Sequence, residues 1–128
     1  MTFMRKRFLS LILGLSILLY ALHYVALQYN LYFNVSWSDS VMHTLGGVVV
    51  AAVFSFVWMF VLGKKMPSIS KILLFTLVVG IVWEVFEAKS GMTMVLNEEY
   101  PLDTTFDLFF DLFGAYIFTI LNKDSSNG

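Results

Sequence analysis

The chain contains no cysteine, which excludes a disulfide framework, a thiolate metal site and a cysteine nucleophile. Charge is scarce: 13% of the 128 residues are Asp, Glu, Lys or Arg, against roughly 25% in soluble domains. Neither sign dominates, and a net charge of −1 leaves no electrostatic footprint for nucleic acid. The motifs of the common hydrolases and nucleotide enzymes are missing too, with no GxSxG, HExxH or P-loop. What the chain has is apolar surface, at 59% of residues and a mean hydropathy of +0.79. A water-soluble fold of this size leaves much of its area in solvent and cannot hide that much. Disorder needs the opposite composition. Length allows one domain, so the expectation is an all-α polytopic membrane protein, a four-transmembrane-helix bundle forming a single membrane domain over residues 1–128.

A hydrocarbon core of about 30 Å needs roughly 20 apolar residues in helix. Four stretches meet or approach that length, at about 8–33, 39–63, 71–89 and 103–122. Strands are not expected, because barrel strands alternate and run only about ten residues. The links at 34–38, 64–70 and 90–102 are short, which makes neighbouring helices antiparallel. No repeat or low-complexity segment is visible, and the polar tail 123–128 is expected to fray. Arg5, Lys6 and Arg7 look like the start of a signal peptide. The apolar run behind them is too long for its core of about 7–15 residues and lacks a cleavage site, so an uncleaved first helix is expected.

Orientation follows from the basic residues. Arg5, Lys6, Arg7, Lys64, Lys65, Lys71 and Lys123 fall on one side of a four-span arrangement and Lys89 alone on the other, which accounts for all 8 Lys and Arg. The positive-inside rule places both termini in the cytoplasm. Trp37, Tyr32, Phe33 and Tyr100 then fit an outer aromatic belt, while Trp58 and Trp83 suit either lipid or core. Asn34-Val35-Ser36 matches a glycosylation sequon that is common by chance.

The acids are placed unevenly. Asp39 begins the second span; Glu84 and Glu87 lie near the outer end of the third; Asp103, Asp107 and Asp111 occupy the outer turns of the fourth. At about 100° per residue, Asp39, His43 and Gly46 share one helix face. Gly80, Glu84 and Glu87 share a second, and Asp103, Asp107, Asp111 and Gly114 a third. Glycine lets membrane helices approach closely, and a charge in the membrane costs about 2.5–3.5 kcal/mol or more unless it faces the interior and is paired. The three faces are therefore expected to meet in one polar pocket open to the outer side. Carboxylates a few ångströms apart do not all stay ionised; either protons are shared or a cation sits among them. Oxygen-rich clusters suit Mg²⁺, Ca²⁺ or Mn²⁺, and an added histidine opens Zn²⁺, Mn²⁺ or Fe²⁺.

Each residue also has an ordinary structural reading. Asp39 after Ser36-Trp37-Ser38 fits an N-cap or first-turn acid, and so does Asp103 after Pro101. Glu84, Asp107 and Asp111 lie inside apolar runs, where an acid needs a functional or ion-pair role. Glu87 has Lys89 and water near it. His43 fits either a ring oriented by Asp39 or a packed core histidine. His23, with no acid beside it, reads as a helix-contact residue; a two-histidine haem site with His43 is the weaker alternative.

The order and spacing of these polar residues resemble a known group. Asp39-Ser-Val-Met-His43 with Gly46-Gly47, then Trp83-Glu84-Val-Phe-Glu87, then Asp107-Leu-Phe-Phe-Asp111-Leu-Phe-Gly114-Ala115, are similar to the pattern of the VanZ-like and YjdF-like small membrane proteins. The resemblance covers about 39–115. Glu87 stands where the VanZ form has Gln, Asp111 where it has Asn, and no Arg precedes Asp107, which makes the YjdF-like branch the closer one. The resemblance implies a multi-pass protein of the bacterial cytoplasmic membrane with a polar intramembrane site, and no particular reaction.

The functional expectation is a divalent-metal site of enzyme-like character that acts at the outer leaflet on a lipid-linked or phosphate-bearing substrate. Its candidate metal ligands are Asp39, His43, Glu84, Glu87, Asp107 and Asp111, and its candidate catalytic groups are Glu84, Asp107, Asp111 and His43. The metal would be Mg, Mn or Zn. The alternative is a proton- or cation-coupled transporter or accessory subunit using the same acids as a relay; four helices are few for a lone transporter, so that version requires an oligomer. A structural subunit whose acids pair with a basic partner is the third reading.

Overall fold

In hydrocarbon there is no water to satisfy backbone N–H and C=O groups, so an apolar run closes its hydrogen bonds on itself as helix. The computed structural model of the protein describes residues 2–91 and 100–123, and among these every long element is helical. The elements are α1 (Thr2–Gln28), a single turn α2 (Leu31–Asn34), α3 (Ser38–Phe56), α4 (Ile69–Ser90) and α5 (Tyr100–Asn122). Four of them are long and apolar enough to cross a membrane. This is the all-α four-helix membrane architecture expected from composition.

The helix ends follow local chemistry. α1 takes in Arg5, Lys6 and Arg7 and stops at Gln28, short of the expected 33. The cause is Asn30, which adopts a left-handed conformation at φ 52°, a region that asparagine tolerates better than most residues. The chain turns there and starts α2. The Ser38 hydroxyl donates to the carbonyls of Leu31 (3.0 Å) and Val35 (2.9 Å), fastening α2 to the start of α3. α3 runs on through a π-helical turn at Val57–Val61 and ends at Gly63, which has φ 65°. α4 ends at Gly91 in the left-handed cap conformation, with its N–H bonded back to the Glu87 carbonyl. Pro101 lies in the first turn of α5, where its missing N–H costs no helical bond. The expected outer segment 97–99 and the tail 124–128 lie outside the described residues.

α3 is the central helix and meets α5 most extensively, with α1 and α4 also against it. The crossing of α3 and α5 is made by glycine. A methyl on Gly47 would strike the Asp111 carbonyl, and one on Gly114 would strike the Thr44 carbonyl. Small residues at the contact let the backbones close in, which is how membrane helices gain packing without a hydrophobic driving force. The contact face of α3 therefore differs from the one its spacing predicts. Gly46 has open space around it; Gly47, one position on, is the contact residue. Gly80 and Gly114 lie as expected, Gly80 with a Cβ position 2.7 Å from Asp111 Oδ2.

At the other end of the bundle Phe8 of α1 packs edge-on against Phe60 (centroids 5.8 Å apart) and Phe118 (6.1 Å). Ala51, Ala52, Ile72 and Ala115 complete this apolar core. The start of α1, the end of α3 and the end of α5 thus share one end, the end that carries most of the basic residues. Among the described residues the acids lie toward the other.

Candidate functional site

His43 is the centre of the polar cluster. It sits on α3 one turn after Asp39 and faces α5, close to the glycine crossing that brings the two backbones together. The ring Nδ1 makes a buried hydrogen bond of 3.0 Å to Asp111 Oδ1. Its Nε2 points the other way, 3.6 Å from Asp107 Oδ1 and 3.8 Å from Asp39 Oδ1. Asp107 and Asp111 are one turn apart on α5 and both are buried, as is His43. Asp39, at the helix start, is the half-exposed member and marks the side from which the cluster is reached. Its cap reading is not realised, since Trp37 occupies the N-cap and makes no side-chain capping bond. Asp39 instead lies in the first turn, still favoured by the helix dipole.

The geometry sets a chemical problem. A neutral imidazole has one N–H. With that hydrogen on Nδ1 and donated to Asp111, the Nε2 lone pair faces the carboxylate oxygens of Asp39 and Asp107. Asp39 and Asp107 are also within hydrogen-bonding reach of each other. Three acceptors facing one point need positive charge between them, from a proton or a cation. Among the described residues no Lys or Arg forms an ion pair with Asp39, Asp107 or Asp111. One ligand atom from each of His43, Asp39 and Asp107 lies within 4.8 Å of the other two. Adjacent ligands of a small cation at about 2.0–2.2 Å stand roughly 3.0–3.4 Å apart, so the Nε2 distances of 3.6 and 3.8 Å need to shorten by a few tenths. The half-exposed Asp39 side chain has the freedom to do that.

The remaining sequence candidates take different places. Asp111 belongs to the cluster through the far side of the imidazole, where it fixes the ring. Glu84 on α4 is 5% exposed. One of its oxygens accepts from the Thr104 hydroxyl of α5 at 3.1 Å, and the other is buried without a partner among the described residues. Glu87 is half-buried, within electrostatic reach of His43, Asp39 and Asp103. Neither glutamate belongs to the group whose ligand atoms converge. Glu98 and Glu99 lie outside the described residues.

Two contributors escaped the reading of the sequence. Thr104 is three residues before Asp107 and seven before Asp111, so the signal that could have found it is helical spacing, which puts it on the acidic stripe. Tyr32 of α2 carried no such signal. Its hydroxyl meets His23 Nδ1 at 2.7 Å, and its position is set by the break at Asn30. Burial, joined by the negative charges of Asp39 and Glu87, raises the Tyr32 pKa above its ordinary value of 10.0. Tyr32 therefore borders the cluster as a neutral phenol. The two histidines have separate partners, His23 with Tyr32 and His43 with the aspartates. Trp37 and Phe33 are strongly exposed, as a belt at the membrane surface requires; Trp83 is exposed as well, and Trp58 is half-buried.

A family model described as "Predicted membrane protein (DUF2238)" matches residues 1–123. This is the YjdF-like family toward which the polar pattern pointed. No curated protein and no solved structure matches the chain.

Proposed function

The chain belongs to the DUF2238 family of predicted membrane proteins, and from that footing we propose that it holds a divalent metal ion at His43 Nε2, Asp39 and Asp107. In this reading Asp111 is a positioning residue. By accepting from Nδ1 it selects the tautomer whose lone pair faces the two carboxylates, the carboxylate–histidine arrangement that commonly supports metal ligands. The bound ion supplies Lewis acidity to a phosphate-bearing or lipid-linked substrate at the membrane surface. Glu84, with one buried oxygen free of partners among the described residues, is the candidate to accept a proton from an attacking hydroxyl. The positive-inside rule makes the acidic end extracytoplasmic and leaves both termini in the cytoplasm. The resemblance of the polar pattern to VanZ-like and YjdF-like proteins is what supports assignment to a bacterial cytoplasmic membrane.

The observation that carries this reading is the opposed pair of imidazole contacts: a 3.0 Å hydrogen bond at Nδ1 and two carboxylates facing Nε2. Elemental analysis of protein purified without chelator tests it. One divalent ion per chain is expected, lost in His43→Ala and Asp107→Asn. Wild-type protein that neither contains nor takes up Zn²⁺, Mn²⁺ or Mg²⁺ would overturn it. One feature favours a second reading, a proton relay in a cation-coupled transporter or accessory subunit. The mutual approach of Asp39 and Asp107 is satisfied equally well by one shared proton. In that case the infrared band of a protonated carboxyl group is present in chelator-treated and metal-exposed protein alike, and disappears in Asp107→Asn.

A further inference from the structure

A second feature lies at the opposite end of the bundle, where α3 meets the start of α4. A groove of about 370 Å³ opens on the surface there, lined by Phe54 and Trp58 of α3 and its π turn and by Lys71, Leu74, Phe75 and Val78 of α4. Its floor is aromatic: Phe54 and Phe75 stack at 4.5 Å with an interplanar angle of 19°. Its rim is cationic. The amines of Lys64 and Lys71 both sit over the Trp58 ring, 4.3 and 4.8 Å from its centroid. The π turn at Val57–Val61 is an irregularity often found at functional sites, and here it sets the register of Trp58.

Two ammonium groups on one indole leave positive charge beside the mouth of an apolar groove. Each gains from the ring face, and neither neutralises the other. Among the described residues neither lysine has a carboxylate partner. Exposed lysines at helix ends ordinarily spread outward toward water. Two amines at one ring beside an apolar groove match an anion with a hydrocarbon tail. Free phosphate would use the amines and leave the aromatic floor bare, and a zwitterionic lipid would use the floor but gain little from the amines. Basic pockets between helices are a known mode of anionic headgroup recognition.

We infer that this groove is a binding site for one anionic phospholipid, with its phosphate at Lys64 and Lys71 and an acyl chain along Phe54, Phe75 and Val78. Each lysine contributes about fivefold to the preference over a zwitterionic lipid. The site is separate from the His43 cluster and stands or falls independently of it.

Trp58 reports on the groove directly. In a Trp37→Phe, Trp83→Phe background it is the sole tryptophan, and quenching by acyl-chain-brominated phosphatidylglycerol and phosphatidylcholine in mixed vesicles compares the two headgroups. Half-quenching is expected at an about 25-fold lower mole fraction of the brominated phosphatidylglycerol, the product of the two lysine contributions. Lys64→Gln and Lys71→Gln should each reduce that preference about fivefold, and millimolar inorganic phosphate should leave it unchanged. Native mass spectrometry of the chain with all three tryptophans gives a reading that needs no tryptophan replacement: phosphatidylglycerol adducts should survive activation better than phosphatidylcholine adducts, and less well in Lys64→Gln/Lys71→Gln. Equal quenching by the two lipids, a preference that persists in the double lysine variant, or its loss on adding inorganic phosphate would each overturn the assignment.

Discussion

His43 divides its two ring nitrogens between different tasks, and the two aspartates of α5 can be separated on that basis. Asp111 acts through the ring, whereas Asp107 faces the point where Nε2 and Asp39 converge. Asp111→Asn should weaken divalent-metal binding about 10–100-fold, the usual cost of losing an orienting partner, while Asp107→Asn should abolish stoichiometric binding. Isothermal titration with Zn²⁺ or Mn²⁺ distinguishes the two; equal losses would remove the distinction. Metal affinity should also fall as the pH is lowered, because ligands bind deprotonated. Tyr32 offers a pH response of its own. Its raised pKa means that the phenol's contribution to stability is present below pH 10 and is lost as pH rises through the folded-state value. Tyr32→Phe should therefore remove part of the alkaline end of the tyrosinate absorbance titration, and an unchanged titration would contradict the placement of Tyr32 beside Asp39 and Glu87.

Among the elements, the α3/α5 crossing decides whether the site exists. Gly47 and Gly114 abut backbone carbonyls of the facing helix, which cannot swing aside as a side chain would. Alanine at either position should cost at least about 1–3 kcal/mol by overpacking and should pull His43 away from Asp111. Gly46→Ala is the matched control. It has open space and should be neutral or stabilising by up to about 1 kcal/mol through helix propensity. Unfolding in detergent, followed by circular dichroism, checks all three. Comparable effects at positions 46 and 47 would show that the helices do not meet on the face described. Period alone had placed Gly46 with Asp39 and His43. A glycine pair offers two adjacent directions 100° apart, and only the partner helix selects one.

For the whole molecule the governing asymmetry is acids toward one end of the bundle, most basic residues at the other. Phe8 against Phe60 and Phe118 places three helix termini together at the basic end. With no native cysteine, single cysteines report topology without background. Ser70→Cys should be labelled from the cytoplasmic side and Ser36→Cys only from outside, as the distribution of Lys and Arg predicts. Labelling of both from one side would refute the four-span topology.

Composition and the lengths of apolar runs determined the class of this protein and four long helices, because the bilayer imposes both hydropathy and span length on any chain that crosses it. The depth of the acids was legible for the same reason, since Glu84, Asp107 and Asp111 could not lie in apolar runs without a common polar interior. Helical spacing also placed Asp39 with His43 and Asp107 with Asp111 within their own elements. What spacing could not supply was the relation between helices. Which nitrogen of His43 meets Asp111, why Glu84 turns to Thr104, and how α2 brings Tyr32 alongside Asp39 depend on the separation and rotation of packed helices. Those are decided by which small residues allow close approach, and by one left-handed asparagine that redirects the chain.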